Sequence, residues 1–349
     1  ADDLMRRDFT INALAVNTLT LELLDNHHGF SDLKNKIVRA IGDPAARFNE
    51  DSLRMLRAFR FSAVLGFSID ERTITAIQSC SSKIAHVSFE RIQEELHKIL
   101  AVPYPSKTLL TMEKYNLLEY LLPELTACKG VGSKGTNNID TFQHLCQSCD
   151  GAPQSNAIVR WAALLHDVGK PDTEHYDLEK NKIIFHGHDK VSAAKADKLL
   201  RRLKFSNQFR KEVVHLISNH MFNYTAEWSD AAVRRFVSRI GTDYIHNLIL
   251  LREADFYGST GMYFQKPLLT ELIERVNSLL IENAALRISD LAVNGKILIK
   301  AGIKEGPAIG TILKLLLESV IDDPSLNRKD TLIKIAIKMN EMYYLTEKT

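Results

Sequence analysis

Cysteine is scarce in this chain: Cys80, Cys128, Cys146 and Cys149 are the only four in 349 residues. They are too few and too scattered for a disulfide framework, and with no signal peptide they fit a reducing cytoplasm. Cys146 and Cys149 form a CxxC, but no second CxxC follows at zinc-ribbon spacing and no βαβ redox pattern surrounds it, so the pair reads as two helix residues one turn apart. No long apolar run escapes interruption by charge, which removes the basis for a membrane role. A dominant charge is also missing. Against 45 Lys and Arg stand 43 Asp and Glu, giving a net charge of +2 and a pI near 8.3. That balance is too mild to argue nucleic-acid binding, so local distribution has to carry it. Repeats and low-complexity tracts are absent too. What remains is an ordinary soluble composition, 45% hydrophobic and 25% charged, long enough for two or three cores.

The pattern is mostly helical. Strand-like stretches, LAVNT, LTLELLD at residues 19–25 and KIVRAIG at 36–42, read as the remnant of a mixed sheet, and from residue 46 onward apolar residues recur every three or four positions. Breaks are signalled by AVPYPSK at 101–107 and KGVGSKGTNN at 129–138; Gly306-Pro307 starts a helix, and DDPSLNRKD stops one and restarts another.

The richest stretch is GDPAARFNEDSLRMLRAFRF, residues 42–61. Read as one helical run, it sets Asp51 and Arg54 one turn apart on one face. An Asp carboxylate accepts from the exocyclic amino group of adenine or cytosine while Arg donates to the ring nitrogen beside it; guanine and uracil invert that pattern. Arg57 is expected near a phosphate, whereas Arg60 drifts to the opposite face. The plainer alternative is a surface ion pair contributing under about 1 kcal/mol. In RRDFTINALA, a strand or turn entering a short helix, Arg6 and Arg7 suit phosphate, and Asp8 and Asn12 suit ribose hydroxyls or backbone. Arg91 opens the helix VSFERIQEELHKIL with Glu94 and Glu95 as partners three and four residues on.

A second set spans residues 144 to 255: His144, His166 and Asp167 in LLHDVGKP, His188, His220 and Asp255. Neutral imidazoles with carboxylates suit a divalent transition metal, and Lys170, one turn past His166, can offset phosphate charge. His186 competes with His188 and ranks below it. Internally hydrogen-bonded core histidines are the alternative. Basic residues concentrate at 195–211, where Lys195, Lys198, Arg201, Arg202, Lys204, Arg210 and Lys211 meet one acid, Asp197; Arg234, Arg235 and Arg239 follow. These can neutralise a phosphate backbone, or form a solvated face.

DDLMRRDFTINALA, DNHHGFSDL at 25–33, EDSLR at 50–54, FERIQEEL at 89–96 and ISDLAVNGKILIKAGIKEGPAIG at 288–310 come in an order that resembles the class II tRNA nucleotidyltransferases, the CCA-adding enzymes and bacterial poly(A) polymerases. The His/Asp set of residues 144–255 resembles the HD-domain phosphohydrolases. The first resemblance implies a mostly α fold: a remnant of an α/β nucleotidyltransferase head (1–45), a helical neck that reads the base (46–128), an HD-type helical body (129–260) and a helical tail gripping tRNA (261–349). It implies that Arg6, Arg7, Asp8, Asn12, Asp51, Arg54 and Arg57 face the nucleotide, that Arg91 supports the base-reading pair, and that Arg201, Arg202 and Lys204 serve RNA. CTP, ATP, tRNA and Mg2+ are the implied partners, with Mn, Ni, Fe or Co at the HD site.

Two departures from the family stand out. Neither a GGxVRD segment nor an Asp-x-Asp metal pair is present, which leads to the expectation of a missing catalytic head. Asp2 and Asp3, being adjacent, would point to opposite faces of a strand. His28 and Asn26 replace the glycine and proline of the family's loop, and His28 would need a positive φ. The expected function is addition of C and A residues to tRNA 3′ ends. The alternatives are a metal-dependent phosphohydrolase acting on phosphomonoesters or 2′,3′-cyclic phosphates, a poly(A) or A-adding polymerase, and a tRNA-gripping fragment without activity.

Overall fold

The computed structural model describes residues 2–132, 139–179, 181–262, 267–282 and 284–346; the break expected at 129–138 lies outside them from residue 133 on. In chain order the elements that matter are α1 (Asp2–Met5), β1 (Ala15–Val16), β2 (Leu23–Leu24), α2 (Gly29–Asn35), β3 (Ile37–Val38), α3 (Pro44–Glu50), α4 (Leu53–Leu65), β4 (Ser68–Ile69), α5 (Glu71–Cys80), α6 (Phe89–Leu100) and α7 (Pro105–Lys114). They continue with α8 (Leu118–Leu121), α9 (Pro123–Thr126), α10 (Thr141–Gly151), α11 (Ala157–Leu165), α12 (Lys170–Thr173), β5 (Glu174–Asp177), β6 (Lys182–Phe185), α13 (His188–Arg202) and α14 (Asn207–Asn219). Six more helices close the chain: α15 (Asp230–Ile240), α16 (Ile245–Thr260), α17 (Pro267–Ile281), α18 (Gly295–Lys300), α19 (Pro307–Asp322) and α20 (Lys329–Thr346). Two compact units result, residues 1–221 with 250–264 and residues 222–249 with 265–349. The segments expected as head remnant, neck and most of the body share the first unit.

The expected sheet remnant exists only as short pairs. β1 and β2 pair antiparallel, β5 and β6 likewise, and β3 pairs parallel with β4. The β3–β4 pairing joins the stretch before residue 45 to the stretch after it, and a half-buried polar network reinforces the join. Arg39 Nε meets Asp32 Oδ2 at 3.0 Å and its Nη1 bonds Asp70, which also caps α5 through the Thr73 amide. Asp2 and Asp3 lie in a helical turn, α1. The loop before α2 adopts the strained form that its sequence suggested. His28 has φ +58, Asp25 accepts from the Gly29 and Phe30 amides, and a side chain at Gly29 would come within 2.1 Å of the Thr10 carbonyl.

Helix periodicity does the rest. In α6 the buried residues are Ile92, Glu95, Leu96, Ile99 and Leu100, a stripe with the three- and four-residue spacing of one helix face. Arg160 of α11 is 2% exposed and donates to the carbonyls of Leu100, at 2.9 Å, and Val102, at 2.7 Å, tying α11 to the turn after α6. Asp150 of α10 accepts from the Ser106 amide and hydroxyl at the start of α7, 3.0 and 2.5 Å away. Replacing Arg160 by methionine is expected to cost about 3 kcal/mol, because buried carbonyls lose charge-assisted donors. Urea unfolding followed by circular dichroism measures it; a loss below about 1 kcal/mol would show that the carbonyls find other donors.

The second unit has its own core, built from Val293, Leu298, Ile312, Leu316, Val320, Leu332 and Ala336. Arg234 donates to the Ile321 and Asp322 carbonyls at the end of α19, and Arg235 pairs with Asp322, so both arginines already have structural partners.

Candidate functional site

The run expected as one helix is two. α3 is capped by Asp43, whose carboxylate accepts from the Ala46 amide, and Pro44 fits its first turn. It ends at Asp51, which is extended, with φ −148 and ψ 103, and α4 starts at Leu53. Asp51 therefore stands at a break, where its Oδ1 accepts from the Leu53 amide at 3.1 Å. Its other oxygen meets Arg91 Nη2 of α6 at 2.7 Å. Burial alone would raise the Asp51 carboxyl, but the Arg91 guanidinium and the Leu53 amide hold it below the usual carboxylate range. Arg54 does not pair with Asp51 as expected. It reaches Glu50 Oε2 at 2.8 Å and the carbonyls of Arg47 and Arg6 at 3.2 and 2.9 Å. Glu50, one turn before Arg54 on the other side of the break, outcompetes Asp51 because the chain turns away between them.

Arg57 is likewise claimed by protein. It meets Asp8 Oδ2 at 2.6 Å, and Asp8 also accepts from Asn12 at 2.9 Å and from the Phe9 amide. Three residues expected to face a nucleotide separately thus form one network, which fixes the RRDFTINALA turn against α4. Arg60 points elsewhere, to the buried Glu95 at 2.6 Å and over the Phe61 ring, as its drift around the helix required. Met5, Arg6, Arg47, Glu50 and Arg54 line an open cleft of about 550 Å³ beside the Asp51 break. Arg47, not among the residues expected at the site, sits in α3 one turn before Asp51, and that spacing was the available signal.

In the body the six spaced residues come together. His144 of α10 places Nε2 3.2 Å from His166 Nε2 and 3.2 Å from Asp255 Oδ1 of α16. Asp167 lies between the imidazoles: its Oδ2 is 3.4 Å from His166, and its Oδ1 is 3.1 Å from His188 and 3.7 Å from His220. Two triads able to hold a metal ion result, His144–His166–Asp167 and Asp167–His188–His220, sharing one carboxylate. The Nδ1 atoms of His166, His188 and His220 each lie 2.7–2.9 Å from a carbonyl three residues earlier. A carbonyl only accepts, so Nδ1 carries the proton and Nε2 presents a bare lone pair to the centre. His144 lacks such a carbonyl, its Nδ1 lying 3.4 Å from the Ser259 hydroxyl, so its Nε2 can either donate to His166 Nε2 or face a cation beside it.

Burial alone would raise the Asp167 carboxyl, yet the surrounding histidines and Lys170 hold it well below the usual range; burial and the neighbouring His166 push His220 down to about 4. Lys170 Nζ is 2.5 Å from Asp167 and lies over the Phe185 ring at 5.3 Å. Close helix approach makes the convergence possible: a side chain at Gly258 would meet Ser148 Oγ at 2.1 Å, and one at Gly169 would meet the Ser192 amide at 2.5 Å. Two supporting residues belong to no motif in the sequence. Arg252 holds Asp255 Oδ2 at 2.7 Å from one turn away, and Ser259 Oγ lies 3.4 Å from His144 Nδ1. A hollow of about 240 Å³, lined by His144, Lys170, Phe185 and Asp255 among others, opens onto the cluster. Cys146 and Cys149 are fully buried thiols pushed up by burial, Cys149 above the physiological range, and neither belongs to either triad.

The basic segment is partly consumed by internal pairing. Arg202 donates to Glu124 at 2.9 Å and to the Leu121 carbonyl, Lys195 meets Asp172 at 2.5 Å, and Arg210 meets Asp197 at 2.9 Å. Lys198, Arg201, Lys204 and Lys211 are exposed on the same two helices and the turn between them. Arg202, expected among the RNA contacts, is half-buried and tied to α9.

These features place an Asp–Arg cluster at the break between α3 and α4 of a mostly helical protein. Residues 1–39 match the family of poly(A) polymerase head domains, 66–129 the family described as "Probable RNA and SrmB- binding site of polymerase A", and 184–336 a family of tRNA nucleotidyltransferase domain 2. Over 335 residues the chain is 33% identical to the A-adding tRNA nucleotidyltransferase of Deinococcus radiodurans, covering 91% of this chain and 74% of that protein. It is 30% identical to the CC-adding tRNA nucleotidyltransferase of Thermus thermophilus, covering 91% and 73%. In fold it is similar to the CCA-adding enzyme of Bacillus stearothermophilus in complex with CTP, with TM-score 0.69, 24% identity, and coverage of 99% of this chain and 75% of that one. The chain belongs to the class II CCA-adding tRNA nucleotidyltransferase family, a family of enzymes. No described helix is long and apolar enough to cross a membrane.

Proposed function

We propose that this chain attaches C and A residues from CTP and ATP to the 3′ end of tRNA, with Asp51 and Arg54 reading the base and Arg91 positioning Asp51. The observation that carries this is the Asp51 break. A carboxylate held ionised at the mouth between two helices, with an arginine one turn on, is the hydrogen-bond pattern that adenine and cytosine complement. Asp51 has lone pairs left beyond the Arg91 and Leu53 bonds, and Arg54 exchanges a carbonyl partner for a ring nitrogen without losing its Glu50 anchor. The Asp8–Arg57–Asn12 network keeps the adjoining turn rigid, and Arg6 and Arg47 suit the phosphates.

Nucleotidyl transfer in this family uses a divalent metal, here assigned as Mg2+, which supplies charge stabilisation at the transferring phosphate. Among the described residues, the side chains grouped closely enough to hold a metal lie in the body and none at the neck cleft, so no step is derived through it. The test is incorporation by the full-length enzyme on tRNA ending before, within and after CC. Addition of A alone, and only to tRNA already ending in CC, would replace this reading with an A-adding one.

A second reading concerns the body, and the paired His/Asp triads favour it. Their imidazoles and carboxylates suit Mn, Ni, Fe or Co, and a divalent ion there would supply the Lewis acidity that hydrolysis of a phosphomonoester or 2′,3′-cyclic phosphate needs. The chain's own part is to aim four Nε2 atoms, offset phosphate charge with Lys170 and wall the hollow with Phe185.

For tRNA we assign the exposed cations of α13 and α14. Charge reversal at Lys198, Arg201 and Lys204 together is expected to weaken two unrelated tRNAs alike and flatten the dependence of affinity on salt. An unaltered slope would place the tRNA on another surface. Arg202 is left out, since its reversal would break the tie to Glu124 and confound folding with binding.

A further inference from the structure

A hollow of about 580 Å³ in the first unit lies at neither station. It lies behind α4. At about 100° per residue, Phe59, Ser62 and Ala63, which line it, fall on the side of α4 roughly opposite Arg54 and Arg57. Its other walls come from β4, α5 and the start and end of α7. The chemistry of the lining is specific. Four aromatic residues, Phe59, Phe67, Tyr104 and Tyr115, contribute with hydroxyl-bearing residues that include Thr108, and the one charge is Lys107; no acid lines it.

Both tyrosines carry a lysine at their ring. Lys107 Nζ is 5.7 Å from the Tyr104 centroid and Lys114 Nζ is 5.4 Å from that of Tyr115. Tyr104 is 57% exposed, although its ring carries apolar area that the adjoining hollow could cover. Proline flanks it on both sides, which restricts the backbone and holds the ring at the rim. Glu113, the nearest acid on the helix, is drawn off by Lys129. The exposed Tyr104 ring and the half-buried Tyr115 ring, each with a lysine beside it, suit a planar base with a phosphate attached. An apolar peptide would leave Lys107 unmatched, whereas the Ser62 and Thr111 hydroxyls already donate to the Phe67 and Lys107 carbonyls.

We propose that this hollow is a second nucleotide site, in which one unpaired nucleotide of an RNA strand stacks on Tyr104 and sets its phosphate against Lys107. The RNA source rests on the nucleotidyltransferase reading, and the segment concerned, 66–129, is the one that matches the RNA-binding family. The shared chemistry is that of a nucleotide, free or in a strand.

The experiment measures binding of a short single-stranded oligoadenylate carrying one 4-thiouridine, and separately of AMP, to the whole chain and to Tyr104→Ala, Tyr104→Phe and Lys107→Gln. Both positions are exposed, so the variants fold. Expected is a loss of at least about fivefold in oligoadenylate affinity for Tyr104→Ala, near-full retention in Tyr104→Phe, and a salt slope shallower by about one in Lys107→Gln. Ultraviolet crosslinking should map the oligonucleotide to peptides containing Tyr104 or Tyr115. A parallel loss of AMP binding identifies a free-nucleotide site of the same chemistry. Unchanged affinity in Tyr104→Ala and Lys107→Gln, or crosslinks confined to the Arg54 cleft or to α13 and α14, overturns the proposal. Nucleotide addition, assayed in the same variants, tests the enzyme reading independently of that outcome.

Discussion

Asp167→Ala is expected to empty both metal triads at once, because its two oxygens serve both: Oδ2 faces His144 and His166, and Oδ1 faces His188 and His220. Metal analysis of protein purified without chelator, and again after reconstitution with manganese or nickel, should find a transition metal in the parent and little or none in the variant. Any phosphohydrolase activity should vanish with it, while nucleotide addition persists. Loss of one ligand from a buried site commonly costs orders of magnitude in affinity, since the remaining imidazoles cannot compensate for the missing negative charge. His220→Ala supplies the graded control, removing a ligand from one triad only. Asp167→Asn guards against misfolding, as it keeps the side chain's volume while removing its charge. A parent protein that stays metal-free after reconstitution would make the cluster a structural one.

The second large effect belongs to the Asp51 break. Asp51→Ala and Arg54→Ala should each loosen discrimination of ATP and CTP against GTP and UTP by about 1–3 kcal/mol, the worth of a paired edge contact to a base. Arg91→Ala should do the same in part, because Arg91 holds Asp51 without reading the base itself. Arg91→Lys, which keeps the charge but loses the planar fork, should fall between them. The measurement is kcat/KM for each nucleotide triphosphate on one tRNA acceptor. Equal preference in the Asp51 and Arg54 variants and the parent would remove these residues from base choice. A shift in Arg91→Ala as large as in Asp51→Ala would mean that Arg91 touches the base.

Much of the neck was legible from spacing. The stripe of α6 and the positive φ at His28 follow from residue type and local pattern, since a helix face or a tight loop is decided within a few residues. Asp51 and Arg54 do not sit on one continuous helix, for a reason that is also local: α3 ends at Asp51, which is extended and accepts from the Leu53 amide, and α4 begins only at Leu53. Arg54, freed from Asp51, took Glu50. The basic cluster shows the other limit. Arg201 and Arg202 are neighbours in sequence, yet one is exposed with its partner, Asp197, one turn back, and the other is tied to Glu124, 78 residues away. No count of charges separates them.

From the sequence alone, then, come the helical class, the order of the motifs, and the supply of residues able to read a base, hold a metal or meet phosphate. Those follow from residue chemistry and from periodicities of three and four, which act over one or two turns. Only the tertiary structure decided which partners meet. Asp8 met Arg57 across 49 residues, Asp51 met Arg91 across 40, and His144 met Asp255 from opposite ends of the body. Each of these depends on how closely helices approach, as at Gly258 against Ser148, and that distance is set by packing among residues far apart in the chain, which no local pattern encodes.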